Sequence, residues 1–502
     1  MSVAQAKTIV VRKPSPAPFA GEDLSFKIRD GVSPTALILD LGGVFCNFSV
    51  TPDAPIKPKE FKYILESPEW HTLELGKGTP SEVYKVLAER FAVTEDALQE
   101  TVRQVSSTLT LNDDFVAAIR RLRLDSGGHL RVFAATNMSK ASYDIVRAKL
   151  GGWDIFDDVF TSASLGVRKP EREFFDRVLE AAGVDAQSAV FFDDRTENVI
   201  CAQCCEMKGV LFSDTESAIQ MLHALFSDPV ERGKSSLLAH AKNMWYVSST
   251  GVEIRDQFQQ LLLLHLTNDW DLVRIGQTSP ETGHWNVFAY GAPVLTTDTY
   301  PDDLDTTSLA LLTLDATDRI KENAMDDMLK FMNPDGLAYC YFDPSRPRID
   351  PFISANVLRL FYANKRGWQL QHTRRFMEDM LRTGAFEHGT RYYHLPDFFL
   401  YYLSDLCAKH SRDDELDTLR DLIVWRLQER IGATHDAPSA ALRVIAARNM
   451  QLSNNMDRKV LLDLQHSDGR WTGYVYRYGS TGILFSSEGL VTALAVAALR
   501  GN

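Results

Sequence analysis

Between residues 36 and 214 five short runs rich in aliphatic and aromatic residues recur, with helix-period stretches between them. They are ALILDLGGVF (36–45), LRVFAATN (130–137), DDVFTSA (157–163), AVFFDD (189–194) and GVLFSD (209–214). Two of the intervening stretches, SKASYDIVRAKLGG and EREFFDRVLEAAG, repeat apolar residues at helical spacing. Strand, helix, strand in succession restricts this segment to a parallel sheet with helices on both faces. Residues 50–125 interrupt the alternation with helix-like segments such as PSEVYKVLAERF and TEDALQETVRQVSSTL. That insertion after the first strand is expected to form a helical cap over an active site.

After SDPVERGKSS (227–236) the pattern changes. Long helical stretches follow, among them IRDQFQQLLLLHL, TSLALLTL, ISANVLRLFYANK, FFLYYLSDLCAKH and LVTALAVAALR. A chain of 502 residues exceeds one ordinary core. The expected division is a loose Pro-, Ser- and Ala-containing tail over 1–33, an α/β domain over 34–232 and an all-α domain over 233–502.

A net charge of −13 without a long basic block excludes a nucleic-acid surface. Six irregularly spaced cysteines indicate reduced thiols and a cytoplasmic protein. No run of 18 apolar residues occurs, so no membrane span is expected, and the N-terminus lacks the apolar stretch of a signal peptide.

In the first half the chemistry-bearing residues stand at strand ends. Asp40 closes ALILD, Thr136 and Asn137 close VFAATN, and Asp193 and Asp194 close VFFDD. Lys169 lies in GVRKPEREFF. Parallel sheets bind ligands at such ends. A carboxylate nucleophile, a hydroxyl, a lysine and a further acidic pair suit Mg²⁺ and a phosphate, because metal and ammonium offset the charge that repels an attacking carboxylate. These elements, in this order, resemble the haloacid-dehalogenase-like hydrolases, with their Rossmannoid sheet and cap. The resemblance implies Asp40 as nucleophile and Mg²⁺ ligand, Gly42 as a carbonyl ligand, Asp193 and Asp194 completing the metal shell, and Thr136, Asn137 and Lys169 at the phosphoryl oxygens. Phosphatases of that family usually carry an acid two places after the nucleophile. Gly42 stands there, which disfavours release of a free alcohol more than expulsion of phosphate from a diphosphate.

In the second half YPDDLDTTSLALL (300–312) crowds three aspartates against an apolar helix. An aspartic acid titrates near 3.9 in water, and burial and neighbouring carboxylates both raise that value. The cluster can therefore hold a neutral acid facing a dry cavity, able to protonate a carbon–carbon double bond, with Thr306 and Thr307 orienting a carboxyl. Helix N-capping is the alternative use of such residues.

Asp303-Leu304-Asp305-Thr306-Thr307 resembles the D-x-D-T-T acid motif of class II terpene cyclases of the drimane type. QHSDGRW (465–471) is similar to the tryptophan-ending repeat of the squalene-cyclase-like α/α barrel, and NPDGLAYCYF (333–342) resembles a degenerate copy. A haloacid-dehalogenase-like domain fused ahead of one such barrel is the layout of drimenol- and albicanol-type synthases. The resemblance implies farnesyl diphosphate as substrate, Asp305 as proton donor tuned by Asp303, closure to a bicyclic drimanyl diphosphate, and Mg²⁺-dependent dephosphorylation by the first domain. Two other readings stay open: a cyclase that releases the diphosphate over an inactive first domain, and a phosphatase with a non-catalytic helical module. DDELD (413–417) fits the metal string of ionisation-initiated cyclases, but its charge-alternating setting reads as a solvated helix face. Arg255, Arg274, Arg348, Arg391 and Lys242 are all available to grip a diphosphate, and aromatic residues in 391–403 and 471–479, with Trp285, Phe288 and Phe485, to line the cavity.

Overall fold

A computed structural model describes Phe26, Ile28 and residues 34–276, 282–288, 293–297, 299–479 and 481–500. In the first half, Ala36–Leu39 is the centre of a five-stranded, fully parallel sheet. Arg131–Thr136 and then Asp158–Thr161 lie to one side, Ala189–Asp193 and then Lys208–Leu211 to the other. Helices cover both faces, so the central strand is apolar throughout rather than alternating. Leu37, Leu39, Val132 and Phe192 belong to one core, Ile38, Phe133 and Phe191 to the other. The strands before and after the centre in space come later in the chain. Asp40, Thr136 and Asp193 therefore converge where the order reverses.

The cap is narrower than residues 50–125. Four helices, Pro58–Leu65, Pro68–Glu74, Pro80–Phe91 and Glu95–Ser107, share a small core of Ile56, Phe61, Ile64, Leu87 and Leu98. The next helix, Asp113–Asp125, buries Phe115, Val116, Ile119 and Leu122 under the sheet and belongs to the main body. Nor is all of 1–33 loose. Phe26 is buried, stacks on His223 with centroids 4.1 Å apart, and donates its N–H to Asp125 Oδ2 at 2.6 Å.

The boundary falls at Ser227/Asp228, a few residues before the expected 232/233. Helix Thr215–Phe226 packs into the sheet's core, whereas Pro229–Ala239, capped by Asp228, packs on the last helix, Glu488–Leu499. Six helices close a ring in the second half: Gln257–Thr267, Leu304–Thr313, Pro351–Ala363, Asp397–Lys409, Ala437–Asn449 and Glu488–Leu499, each packed on the next and the last on the first. Others, such as Gln371–Thr383 and Asp417–Arg430, pack outside it. This is an α/α barrel, and the inner helices are apolar nearly all round because ring neighbours and outer helices both cover them.

The domain is not wholly helical. Tyr474–Tyr478, Ile483–Ser486, Tyr246–Ser248 and Glu253–Ile254 form a small antiparallel sheet at one end. The tryptophan-ending repeats fix helix junctions. Gly469 (φ +87°) leaves no room for a Cβ, which would stand 2.5 Å from Arg232 O. Trp471 is fully buried, donates Nε1–H to Leu461 O at 2.7 Å, and takes Thr492 Oγ1 as its backbone N–H acceptor at 3.0 Å. All six cysteines are free thiols, and among the described residues no helix is long and apolar enough to cross a membrane.

Candidate active sites

The first site sits at the carboxyl ends of the central strands. Lys169 Nζ lies 3.0 Å from Asp40 Oδ1 and 2.6 Å from Asp193 Oδ2, with all three side chains buried. Burial works against the Lys169 ammonium, but Asp40 and Asp193 raise it above its ordinary value. Burial pushes Asp40 up to about 6 against the pull of Lys169. Asp194 is the exposed member, and burial of part of its carboxyl and the charge of Asp193 raise it too. Oxygens of Asp40, Asp193 and Asp194 all lie within 4.8 Å of one another, a hard-oxygen set of the kind Mg²⁺ takes. Gly43 (φ +78°) permits this approach, since a Cβ there would stand 2.5 Å from Asp194 Oδ2.

Two residues expected at metal or phosphate are engaged otherwise. Asp193 accepts from Lys169 Nζ, the Arg195 N–H (2.9 Å) and Asn198 Nδ2 (2.9 Å), which makes it a brace for the lysine and the loop. Asn137 spends both ends of its amide on the Lys169 backbone, accepting N–H at 2.8 Å and donating to the carbonyl at 2.9 Å. Thr136 and Gly42 line the cavity. The cavity measures about 510 Å³ and is roofed by apolar cap residues, including Phe61, Leu65, Trp70, Val102 and Val105. Arg168, which sequence reasoning passed over, lines it and ties cap to body through Glu74 (2.9 Å).

The second site is a cavity of about 130 Å³ in the barrel. Asp303 caps helix Leu304–Thr313, its Oδ1 accepting the Thr306 N–H at 2.6 Å, while its buried Oδ2 has no partner among the described residues. Asp305, in the first turn, lines the cavity. Its Oδ1 accepts from Asn356 Nδ2 at 2.9 Å and its Oδ2 from the Tyr393 hydroxyl at 2.5 Å. The Asn356 amide is itself oriented by Arg359, which donates to its oxygen at 2.7 Å and pairs with Asp405. Burial pushes Asp305 up to about 7, and burial with Asp305 nearby raises Asp303 well above the carboxylate range. Capping and a raised acid therefore coexist on one helix start. Thr307 does not orient a carboxyl: its Oγ1 accepts the Trp285 N–H at 2.9 Å, the arrangement that Thr492 makes with Trp471.

Aromatic faces dominate the rest of the wall: Tyr246, Phe258, Phe288, Tyr393, Tyr476 and Phe485. The small sheet supplies three of them, and the alternation in YVYRY (474–478) was the signal for that strand. Trp285 is buried beside the acid helix but does not line the cavity. Of the five cations considered, Arg255 pairs with Glu253 (2.8 Å), Lys242 stands 4.0 Å from Asp271, and Arg274 and Arg391 are exposed. Arg348 donates to the Tyr392 hydroxyl on the cavity wall at 2.5 Å. Arg477, not singled out from the sequence, is among the described residues the cation that lines the cavity itself. Asp413 and Asp417 lie on the surface in short local contacts, Asp417 paired with Arg420, and are not among the clustered metal-type ligands.

Two family models match the chain: a haloacid dehalogenase-like hydrolase over residues 34–205, and a sesquiterpene cyclase astC-like C-terminal domain over 230–364. The drimenol cyclase drtB of Aspergillus calidoustus is 34% identical over 468 residues, covering 93% of this chain and 88% of drtB. The sesquiterpene phosphatase astK of Aspergillus oryzae is 30% identical over 190 residues, 38% of this chain and 95% of astK. The magnesium complex of HAD family enzyme bt-2542 from Bacteroides thetaiotaomicron, 22% identical, matches 36% of this chain and 93% of that one with a TM-score of 0.30.

Proposed function

Because the chain belongs to the family of the drimenol cyclase drtB, we propose that it cyclises farnesyl diphosphate by protonation and then dephosphorylates the bicyclic product to a drimane alcohol of drimenol or albicanol type. The observation that carries the cyclase half is Asp305, a buried carboxyl raised to about 7 on the wall of an aromatic cavity. The neutral acid gives its proton to the distal double bond, whose electron pair forms the new C–H bond and leaves a tertiary cation. Two ring closures follow, and loss of a proton makes the alkene with the diphosphate intact. Tyrosine and phenylalanine faces stabilise the moving charge without offering a strong nucleophile. Asn356 and Tyr393 hold the Asp305 carboxylate left behind, and Asp303 stays protonated beside it. Arg477, with Arg348 and Arg391 close to the same strand and loop, is the natural grip for the diphosphate.

In the first domain Asp40 attacks the terminal phosphorus, the bond from phosphorus to the leaving oxygen breaks, and water then cleaves the aspartyl phosphate to release phosphate; Lys169 and Thr136 hold the phosphoryl oxygens, and the apolar cap receives the terpenoid. Asp40, Asp194 and the Gly42 carbonyl would hold Mg²⁺, which would screen the phosphate from the attacking carboxylate. Asp193 and Asn137 are positioning residues for Lys169.

Gly42 favours a second reading, release of phosphorylated drimane, because no acid follows Asp40 at the usual distance. One experiment addresses both. The purified chain is incubated with farnesyl diphosphate and Mg²⁺, and extracts are compared with and without added phosphatase. Free alcohol in both supports the bifunctional enzyme; alcohol only after added phosphatase rejects it. If Asp305→Asn leaves cyclic product unchanged, the cyclase assignment is wrong.

A further inference from the structure

The cyclase cavity holds a third carboxylate. Asp256 caps helix Gln257–Thr267, next to the acid helix in the ring, and lines the same cavity as Asp303 and Asp305. Its Oδ1 accepts the Gln259 N–H at 2.7 Å; Oδ2 makes no hydrogen bond among the described residues. No cation pairs with it among those residues, and burial pushes it up to about 7.

We propose that Asp256 is the base that takes the last proton from the bicyclic cation. This rests on the cyclase reading above. After protonation Asp305 is itself a carboxylate, but it lies against the ring it has just protonated and is held by Asn356 and Tyr393. Asp303 stands two residues away on the same helix start. The final cation sits in the second ring, nearer the diphosphate end, so its proton needs an acceptor on another wall. Asp256 follows the edge strand of the small sheet and is, among the described residues, the remaining lining carboxylate.

In the step, a C–H bond adjacent to the cation breaks, its electron pair becomes the alkene, and the proton goes to Asp256 Oδ2. One proton is given by Asp305 and one taken by Asp256, so the cycle closes when Asp256 releases its proton and Asp305 takes one up.

The test is Asp256→Asn, with Asp256→Ser as a second variant, since both residues still cap a helix. Farnesyl diphosphate turnover is followed by mass spectrometry after added phosphatase, and p-nitrophenyl phosphate hydrolysis reports the first domain. The expected result is at least tenfold slower bicyclic product whose double bond is displaced or replaced by a hydroxyl from water, with phosphatase rate and melting temperature kept. An unchanged double bond, at whatever rate, overturns the inference. Asp305→Asn runs in parallel: cyclic product persisting there sinks the cyclase reading instead.

Discussion

Replacing Tyr393 by Phe removes one hydroxyl and almost no volume. That hydroxyl donates to Asp305 Oδ2 at 2.5 Å between two buried side chains, so solvent screens the loss little. A hydrogen bond to a charged group is worth about 1.5–3 kcal/mol. It stabilises the carboxylate and not the acid, so it lowers Asp305, and its removal raises the group by roughly one to two pH units at 1.36 kcal/mol per unit. Cyclisation needs the protonated form. In the parent chain kcat/KM should fall as pH rises through about 7. In Tyr393→Phe the descending limb should move to higher pH by that amount. On the acid side of that limb the rate should drop several-fold at equal pH, because a weaker acid protonates the alkene more slowly. The assay is the initial rate of bicyclic product, measured after added phosphatase between pH 5 and 9. A limb that stays in place or moves to lower pH refutes the argument that this phenol tunes the acid.

Four further outcomes follow from the same geometry. Gly43→Ala forces a Cβ to within 2.5 Å of Asp194 Oδ2 at a left-handed φ, so p-nitrophenyl phosphate hydrolysis should fall at least tenfold while cyclisation is kept. Chelation of Mg²⁺ should abolish dephosphorylation and let drimanyl diphosphate accumulate, read by extraction with and without added phosphatase, since the clustered carboxylates lie in the first domain. Asp303→Asn should keep the cap and slow cyclisation less than Asp305→Asn; the reverse order, in paired initial rates, would make Asp303 the donor. Trp471→Ala, which empties a fully buried site, should cost about 3–5 kcal/mol in the denaturant unfolding of the helical domain.

Much of the molecule is legible in its sequence. The apolar runs at 36, 130, 157, 189 and 209 required a parallel sheet, because strands separated by helices cannot pair otherwise. With the sheet came the strand ends, and with them Asp40, Thr136 and the acidic pair. The D-x-D-T-T string announced a buried acid. The phenols Tyr246, Tyr393 and Tyr476 were harder to rank, since aromatic residues fill cores and cavities alike. The four-stranded sheet at the barrel end was hidden by short strands whose partners are far apart in the chain, Ser248 with Phe485 for example.

What the sequence alone determined was local: periodicity, caps, and which residue types stand at strand ends and helix starts. What only the tertiary structure decided was which groups share space. Asn137 and Asp193 are strand-end polar residues like Thr136, yet packing spends them on holding Lys169. Thr307 is the last residue of the acid motif, yet its hydroxyl is taken by Trp285, 22 residues away. Tyr393 and Asp256 reach the cyclase cavity, and Asn356 reaches Asp305, from three other segments. Acidity and proton transfer depend on burial and on contacts of a few ångströms, and those are set when the ring of helices closes, not by order along the chain.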